Sequence, residues 1–125
     1  MAKILVVDDN PDMCKIIFDI LKEAGHSVDC SYSGEDALIK IKKNRYGLVV
    51  LDYKLNGISG LVVLEKALQR IPSLKVIMIS AFGSNSTKAR TRELGAFDFI
   101  DKPFDIKRFI QTVQDILIQQ TDEKA

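Results

Sequence analysis

The sequence predicts an α/β domain built on a five-stranded parallel sheet with helices on both faces. Two patterns carry that reading: short apolar runs alternate five times with segments of helical periodicity, and several runs are apolar at every position rather than every second one. Ile4-Leu5-Val6-Val7, Leu48-Val49-Val50-Leu51 and Val76-Ile77-Met78-Ile79 are runs of that second kind. They read as strands buried on both faces, which a parallel sheet reaches through right-handed crossover helices. A third observation concerns the strand ends. The first two of these runs stop at acids, Asp8-Asp9 and Asp52, so carboxylates stand where core strands emerge. In an open sheet of this kind functional groups gather at the carboxyl ends of the strands.

The elements follow in order. A strand at Lys3 to Val7 leads to Asn10, a helix cap, and to Pro11 at the first helical position, where a missing N–H does no harm. Met13, Ile17, Ile20, Leu21 and Ala24 recur at helical spacing until Gly25. Val28 and Cys30 alternate with polar neighbours, as in a more exposed strand. Ser33 caps a second helix, with Asp36 approximating a capping box and Ala37, Leu38 and Ile41 facing inward. After the strand at Leu48 to Leu51, Asn56-Gly57 marks a loop, and a helix from about Leu61 to Ile71 stops at Pro72. The fourth strand ends in Ser80-Ala81. A polar helix over Ser86 to Leu94 is closed by Gly95, and Ala96 to Ile100 forms the fifth strand. Asp105 caps a last helix carrying Ile106, Phe109, Ile110, Val113, Ile116 and Leu117, with a polar, fraying tail from about Gln119.

At 125 residues and 46% hydrophobic content, the chain fits one domain, 1–125, with a core that needs neither disulfides nor structural metal. Lys and Arg number 18 against 17 Asp and Glu, so there is no global case for nucleic acid or an anionic membrane. The aromatic residues do not interleave with basic ones as a stacking platform would. Cys14 and Cys30 lack zinc-site spacing and read as reduced packing residues, and His26, far from the acids, reads as structural. The first apolar run is too short for a signal peptide or membrane span, which makes a cytoplasmic location the expectation.

Asp8-Asp9, Asp52, Ser80-Ala81 and Lys102-Pro103, each on its own element, resemble the receiver domain of two-component response regulators. Single-domain receivers of the chemotaxis and sporulation-phosphorelay kind resemble the chain most, and receivers at the front of larger transcriptional activators resemble it closely. The resemblance implies a flavodoxin-like doubly wound (βα)5 fold with strand order 2-1-3-4-5. It implies Mg2+, or Mn2+, bound by Asp9, Asp52 and the backbone carbonyl of Lys54, with Asp8 acting through water. It implies that Asp52 is the phosphoacceptor towards a phosphohistidine on a sensor histidine kinase or histidine phosphotransfer protein, with Lys102 and Ser80 assisting. The resemblance also gives Lys102-Pro103 a cis peptide. On this reading the domain is not an enzyme but a phosphoacceptor with self-catalysed phosphorylation and dephosphorylation. Its output goes to a downstream protein or attached effector domain, without membrane or direct nucleic-acid contact.

The chemistry stands beside the name. Three neighbouring carboxylates repel one another, and a hard divalent cation that keeps several waters relieves them. Asp8 and Asp9 alone could merely favour a helix N-terminus, but paired with Asp52 they read as a metal site. Added phosphoryl charge beside Lys102 and Ser80 would move the loop after strand four, and the resemblance then makes Phe99 a switch; Phe99 reads equally as core. The output face would be helix four, strand five and helix five, where Lys88, Arg90, Arg92, Lys107 and Arg108 lie. Two positions depart from the pattern: Asn56 stands where proline is frequent, and Ser80 where threonine is. The resemblance puts Lys54 and Phe82 on the positions that tune acyl-phosphate lifetime in the family, and their bulk leads us to expect minutes or more. A haloacid dehalogenase-type phosphatase needs an acid where Lys54 stands, and a flavodoxin-type cofactor loop would not carry Asp8-Asp9-Asn10-Pro11. A degenerate receiver that binds partners without phosphorylation is the remaining alternative.

Overall fold

Ten elements alternate along the chain. They are β1 (Lys3–Val7), α1 (Pro11–Glu23), β2 (Ser27–Ser31), α2 (Gly34–Lys43), β3 (Leu48–Asp52), α3 (Gly60–Arg70), β4 (Val76–Ser80), α4 (Asn85–Glu93), β5 (Asp98–Asp101) and α5 (Ile106–Lys124). The structure is a computed structural model and describes residues 3–81, 85–102 and 104–124. All strand pairs are parallel and the order is β2-β1-β3-β4-β5, the doubly wound, flavodoxin-like arrangement expected.

Every residue of β3 and β4 is buried, as their unbroken apolar runs require. Alternation along the strands divides the core into two layers. Leu5, Val7, Val49, Leu51, Val76 and Met78 face α2 and α3, meeting Ala37, Ile41, Val63, Leu64 and Ala67. Ile4, Val6, Leu48, Val50, Ile77 and Ile79 face α1 and α5, meeting Cys14, Ile17, Leu21, Phe109, Val113 and Ile116. Each large aliphatic side chain buried this way contributes roughly 1.5–3 kcal/mol. Both cysteines are free.

The helix starts follow the expected chemistry. The side chain of Asn10 accepts from the Asp12 and Met13 amides, and that of Ser59 from Val62. Ser33 accepts from Asp36, but the Asp36 carboxylate takes the Ser31 hydroxyl at 2.6 Å and the Lys40 ammonium at 3.0 Å, so it serves the end of β2 instead of completing a capping box.

Three expectations need correction. β5 begins at Asp98 rather than Ala96, because the Ala96 N–H is used to close α4 on the Thr91 carbonyl beside Gly95 at φ +106°. α5 is helical to Lys124, beyond the Gln119 at which the polar tail is expected to begin, and Gln, Glu and Lys are good helix formers. Ile106 is 51% exposed, not packed inward.

Candidate functional site

Register brings the acids together. Val7 pairs with Leu51 across β1 and β3, so one residue further on Asp8 lies beside Asp52. Since Val7 and Leu51 both face α2 and α3, alternation turns Asp8 and Asp52 to the same opposite side. The Asp8 N–H donates to the Ser31 carbonyl at 3.0 Å, which extends the β1–β2 pairing and fixes the backbone there. Behind it, the Cys14 thiol lies 3.2 Å from the Asp8 carbonyl oxygen.

Each carboxylate has its own restraint. Asp8 Oδ1 accepts from the Asn10 N–H at 2.9 Å, and Asp52 Oδ1 from the Lys54 N–H at 3.2 Å. Asp9 Oδ2 accepts from the Asn56 N–H at 3.0 Å. Lys102, whose side chain is 18% exposed, sets its Nζ 3.2 Å from Asp8 Oδ2 and 3.4 Å from Asp52 Oδ2. Its own backbone N–H donates to the Ser80 carbonyl at 2.8 Å, which ties the end of β5 to the end of β4. Asp8, Asp9 and Asp52 each offer a carboxylate oxygen within 4.8 Å of the others. Together with Asn10, Met13, Lys54, Ser80, Ala81 and Lys102 they line a cavity of about 210 Å³.

Burial pushes the Asp52 carboxyl above the ordinary carboxylate range, and Asp8 adds to that, while Lys102 and the Lys54 N–H act the other way. Such a group is relieved by further positive charge. A small, hard divalent ion with oxygen ligands fits the donor set, and this acidic cluster is able to hold one.

The structure therefore gathers Asp8, Asp9, Asp52, Lys54, Ser80 and Lys102 around one cavity. Phe99 does not join them. It is half-buried on β5 opposite Met78, packs against the core layer of α2 and α3, and lies 5.7 Å below the Lys88 ammonium. Lys88 also pairs with Asp101 at 2.7 Å, linking α4 to the residue before Lys102. Phe82 and Pro103 lie outside the described residues.

Sequence reasoning missed the apolar groove beside the cavity. Met13, Ile16, Ile20, Ala81, Lys102, Phe104 and Ile106 line about 360 Å³, and Ile16 is 51% exposed. The signal was available: Ile16 and Ile20 stand one helical turn apart, on a stripe offset from the buried Cys14, Ile17 and Leu21.

Fold and site together define a doubly wound domain with a cation-type acid pocket at its strand ends. The sequence matches the response regulator receiver domain over residues 4–114. It is 32% identical to the transcriptional regulatory protein ZraR of Salmonella typhimurium, over 98% of this chain and 28% of that protein. It is 33% identical to the response regulator ArlR of Staphylococcus aureus, over 96% of this chain and 54% of the relative. The chain thus spans between about a quarter and about half of these curated relatives. Among solved structures, a CheY-like response regulator receiver domain protein from Methanospirillum hungatei superposes with a TM-score of 0.94 at 28% identity, covering 98% of both chains. NtrX from Brucella abortus gives 0.90 at 34% identity, over 98% of this chain and 28% of that one. The BeF3-activated receiver domain of DrrB gives 0.86 at 28% identity, over 94% and 97%. The chain belongs to the response regulator receiver domain family of two-component systems. No described helix is long and apolar enough to cross a membrane.

Proposed function

We propose that the chain accepts a phosphoryl group on Asp52 from a phosphohistidine of a sensor histidine kinase or histidine phosphotransfer protein. The observation that carries this reading is the single ammonium of Lys102 set between the buried carboxylates of Asp8 and Asp52. In the transfer, a carboxylate oxygen of Asp52 forms the new O–P bond as the N–P bond to the donor imidazole breaks, and the leaving imidazole takes up a proton from solvent. Asp52 is already oriented by the Lys54 N–H, so little rearrangement precedes attack. Asp9, Asp52 and the Lys54 carbonyl would hold Mg2+ or Mn2+, with Asp8 acting through water. When bound, the ion supplies charge neutralisation for the phosphoryl oxygens.

After transfer, Lys102 and the Ser80 hydroxyl hold the phosphoryl oxygens, drawing the ends of β4 and β5 towards Asp52. The Lys88–Asp101 pair and the Phe99 ring beneath Lys88 carry that shift to the face of α4, β5 and α5, where a downstream protein or attached effector domain reads it. The apolar groove between α1 and the start of α5 shares Met13, Ala81 and Lys102 with the acid cavity and seats the phosphodonor protein. Reaction proceeds in the cytoplasm, self-catalysed, without a separate enzymatic activity. Lys54 at the cavity edge hinders attacking water and gives the acyl phosphate a lifetime of minutes or more. The BeF3 activation of DrrB, at the same fold, supports a phosphoryl-shaped ligand for this pocket.

Incubation with Mg2+ and a small phosphodonor, followed by intact mass, tests the reading. The native chain gains one phosphoryl mass and Asp52→Asn gains none. Equal labelling of both, or of neither, overturns it, and loss of the label within seconds overturns the lifetime.

A further inference from the structure

Of the three clustered acids, Asp8 and Asp52 share the Lys102 ammonium and each accepts an N–H from within two residues. Asp9 is held differently. Its Oδ2 accepts from the N–H of Asn56, 47 positions away in the loop between β3 and α3. That loop is fastened at both ends. Leu55 is buried in the core layer of α2 and α3, and the Ile58 N–H donates to Glu35 Oε1 at 3.4 Å. Between them Gly57 takes φ +81°, and a Cβ built there would lie 2.9 Å from Glu35 Oε2. The loop is therefore drawn between two carboxylates, Asp9 at the pocket and Glu35 in the first turn of α2, through its own backbone donors.

We infer that Asn56 is a positioning residue for the cation site: its backbone N–H aims the Asp9 carboxylate into the acid cluster. The inference rests on the reading of Asp8, Asp9 and Asp52 as a cation site. Only the N–H matters, so the identity of the side chain is immaterial so long as it is not proline, which has no N–H to donate. Partners that orient a ligating group govern affinity without touching the ion, and losing one typically costs about 10- to 100-fold. Because this bond is exposed, the lower end applies.

Mn2+ alone is the probe, with binding read by water-proton relaxation and by calorimetry on the full chain. Asn56→Pro should weaken Mn2+ binding about tenfold, while Asn56→Ala, which keeps the donor, stays within about twofold of native. Native-like binding by Asn56→Pro overturns the inference, as does an equal loss in Asn56→Ala. Failure of the native chain to bind Mn2+ overturns the cation reading itself and the inference with it. A second measurement stands even where Asn56→Pro does not fold. In the metal-free chain the Asn56 amide proton should be slow to exchange, and Asp9→Ala should speed its exchange about tenfold, the loss of one charge-assisted hydrogen bond. An Asn56 amide indifferent to Asp9→Ala overturns the inference.

Discussion

Gly60→Ala probes how α3 is seated under the acid pocket. Gly60 is the first residue of α3, and its N–H donates to the Tyr53 carbonyl at 3.0 Å, just past Asp52. A Cβ on Gly60 would stand 2.3 Å from the Asp52 carbonyl oxygen and 2.8 Å from both the Cα and the carbonyl oxygen of Tyr53. Ordinary contact begins near 3.4 Å, so about 1 Å must be opened. All three atoms are backbone. The Tyr53 N–H is itself bound to the Ile79 carbonyl at 2.8 Å, so β3 cannot yield without breaking its pairing with β4. The start of α3 must move instead, and α3 carries the buried Val63, Leu64 and Ala67. Overpacking of this kind costs typically about 1–3 kcal/mol, and the absence of any side chain that could swing aside puts Gly60 at the upper end.

Gly60 does not have a positive φ, so no conformational strain enters. A glycine-to-alanine change free of clashes would by itself favour a helix by about 0.5–1 kcal/mol, so the sign of the effect is diagnostic. For a chain of this size the expected loss lowers Tm by about 10 °C. A displacement of about 1 Å at the start of α3 passes back along the loop that carries Lys54 and Asn56 to the pocket, and should also slow labelling by the small phosphodonor about 100-fold. Thermal unfolding followed by circular dichroism and timed intact mass measure the two effects. Gly34→Ala is the control: its Cβ would meet Ile58 Cγ1 and Val63 Cγ2 at 2.6 Å, both side-chain atoms, and should cost only about 1 kcal/mol with near-native labelling. A Gly60→Ala protein as stable as the native chain, labelling at the native rate, refutes the seating of α3 described here.

Other perturbations test the charges. Lys102→Met leaves Asp8 and Asp52 facing each other without their shared ammonium; metal-free at neutral pH it should lose about 1–3 kcal/mol in urea unfolding, a loss that Mg2+ or a second change, Asp52→Asn, restores. An unchanged urea midpoint would speak against the bridge. The Asp52 carboxyl is raised above its unfolded value, so the native state holds that proton more tightly and gains stability as pH falls through the folded pKa. Asp52→Asn should thus be more stable than native at pH 7 in chelator, with the gap closing on acidification; a constant or reversed gap contradicts this. His26 has the opposite sign. Burial lowers its pKa below 6.5 and its Nε2 has no hydrogen-bond partner, so its share of stability is complete above pH 6.5 and is lost as pH falls from there through the folded pKa. His26→Gln should flatten the stability profile in that window, and an unaltered profile would place the titration elsewhere.

The fold was legible because burial on both faces leaves a coarse mark. Runs such as Leu48 to Leu51 have no polar position, and Asn10, Ser33 and Ser59 cap their helices as their side chains require. The gathering of Asp8, Asp9, Asp52, Ser80 and Lys102 was legible too, since parallel register alone sends strand ends to one side. What failed was local competition. Ala96 looked like strand, but its N–H had a nearer acceptor in the last turn of α4, and Asp36 found Ser31 and Lys40 before its own cap. Ile106 could not be told from a core residue, because periodicity assigns a face and not what covers it. Bonds between distant segments, such as Asn56 to Asp9 and Lys88 to Asp101, leave no mark in spacing at all.

The two sources of positive charge at the pocket are not interchangeable. Three carboxylates against one ammonium leave a deficit close to that of a divalent ion, and such an ion would sit among residues of β1 and β3, the centre of the sheet. Lys102 arrives from β5, the sheet's edge, with its backbone bound to Ser80 and its neighbour Asp101 bound to Lys88 of α4. On the proposal that Asp52 accepts a phosphoryl group, a charge added there would be balanced by such an ion without moving anything outside the centre, whereas any share taken by Lys102 would pull on β4, β5 and α4 together. On the proposed function, therefore, the ion governs whether Asp52 reacts, and Lys102 governs whether the edge of the sheet is affected by it. Lys102→Arg should separate the two: the charge remains and Mn2+ binding stays near native, while the longer, planar head no longer fits between Asp8 and Asp52, so labelling persists without the amide shift changes in α4 and β5 that accompany it in the native chain.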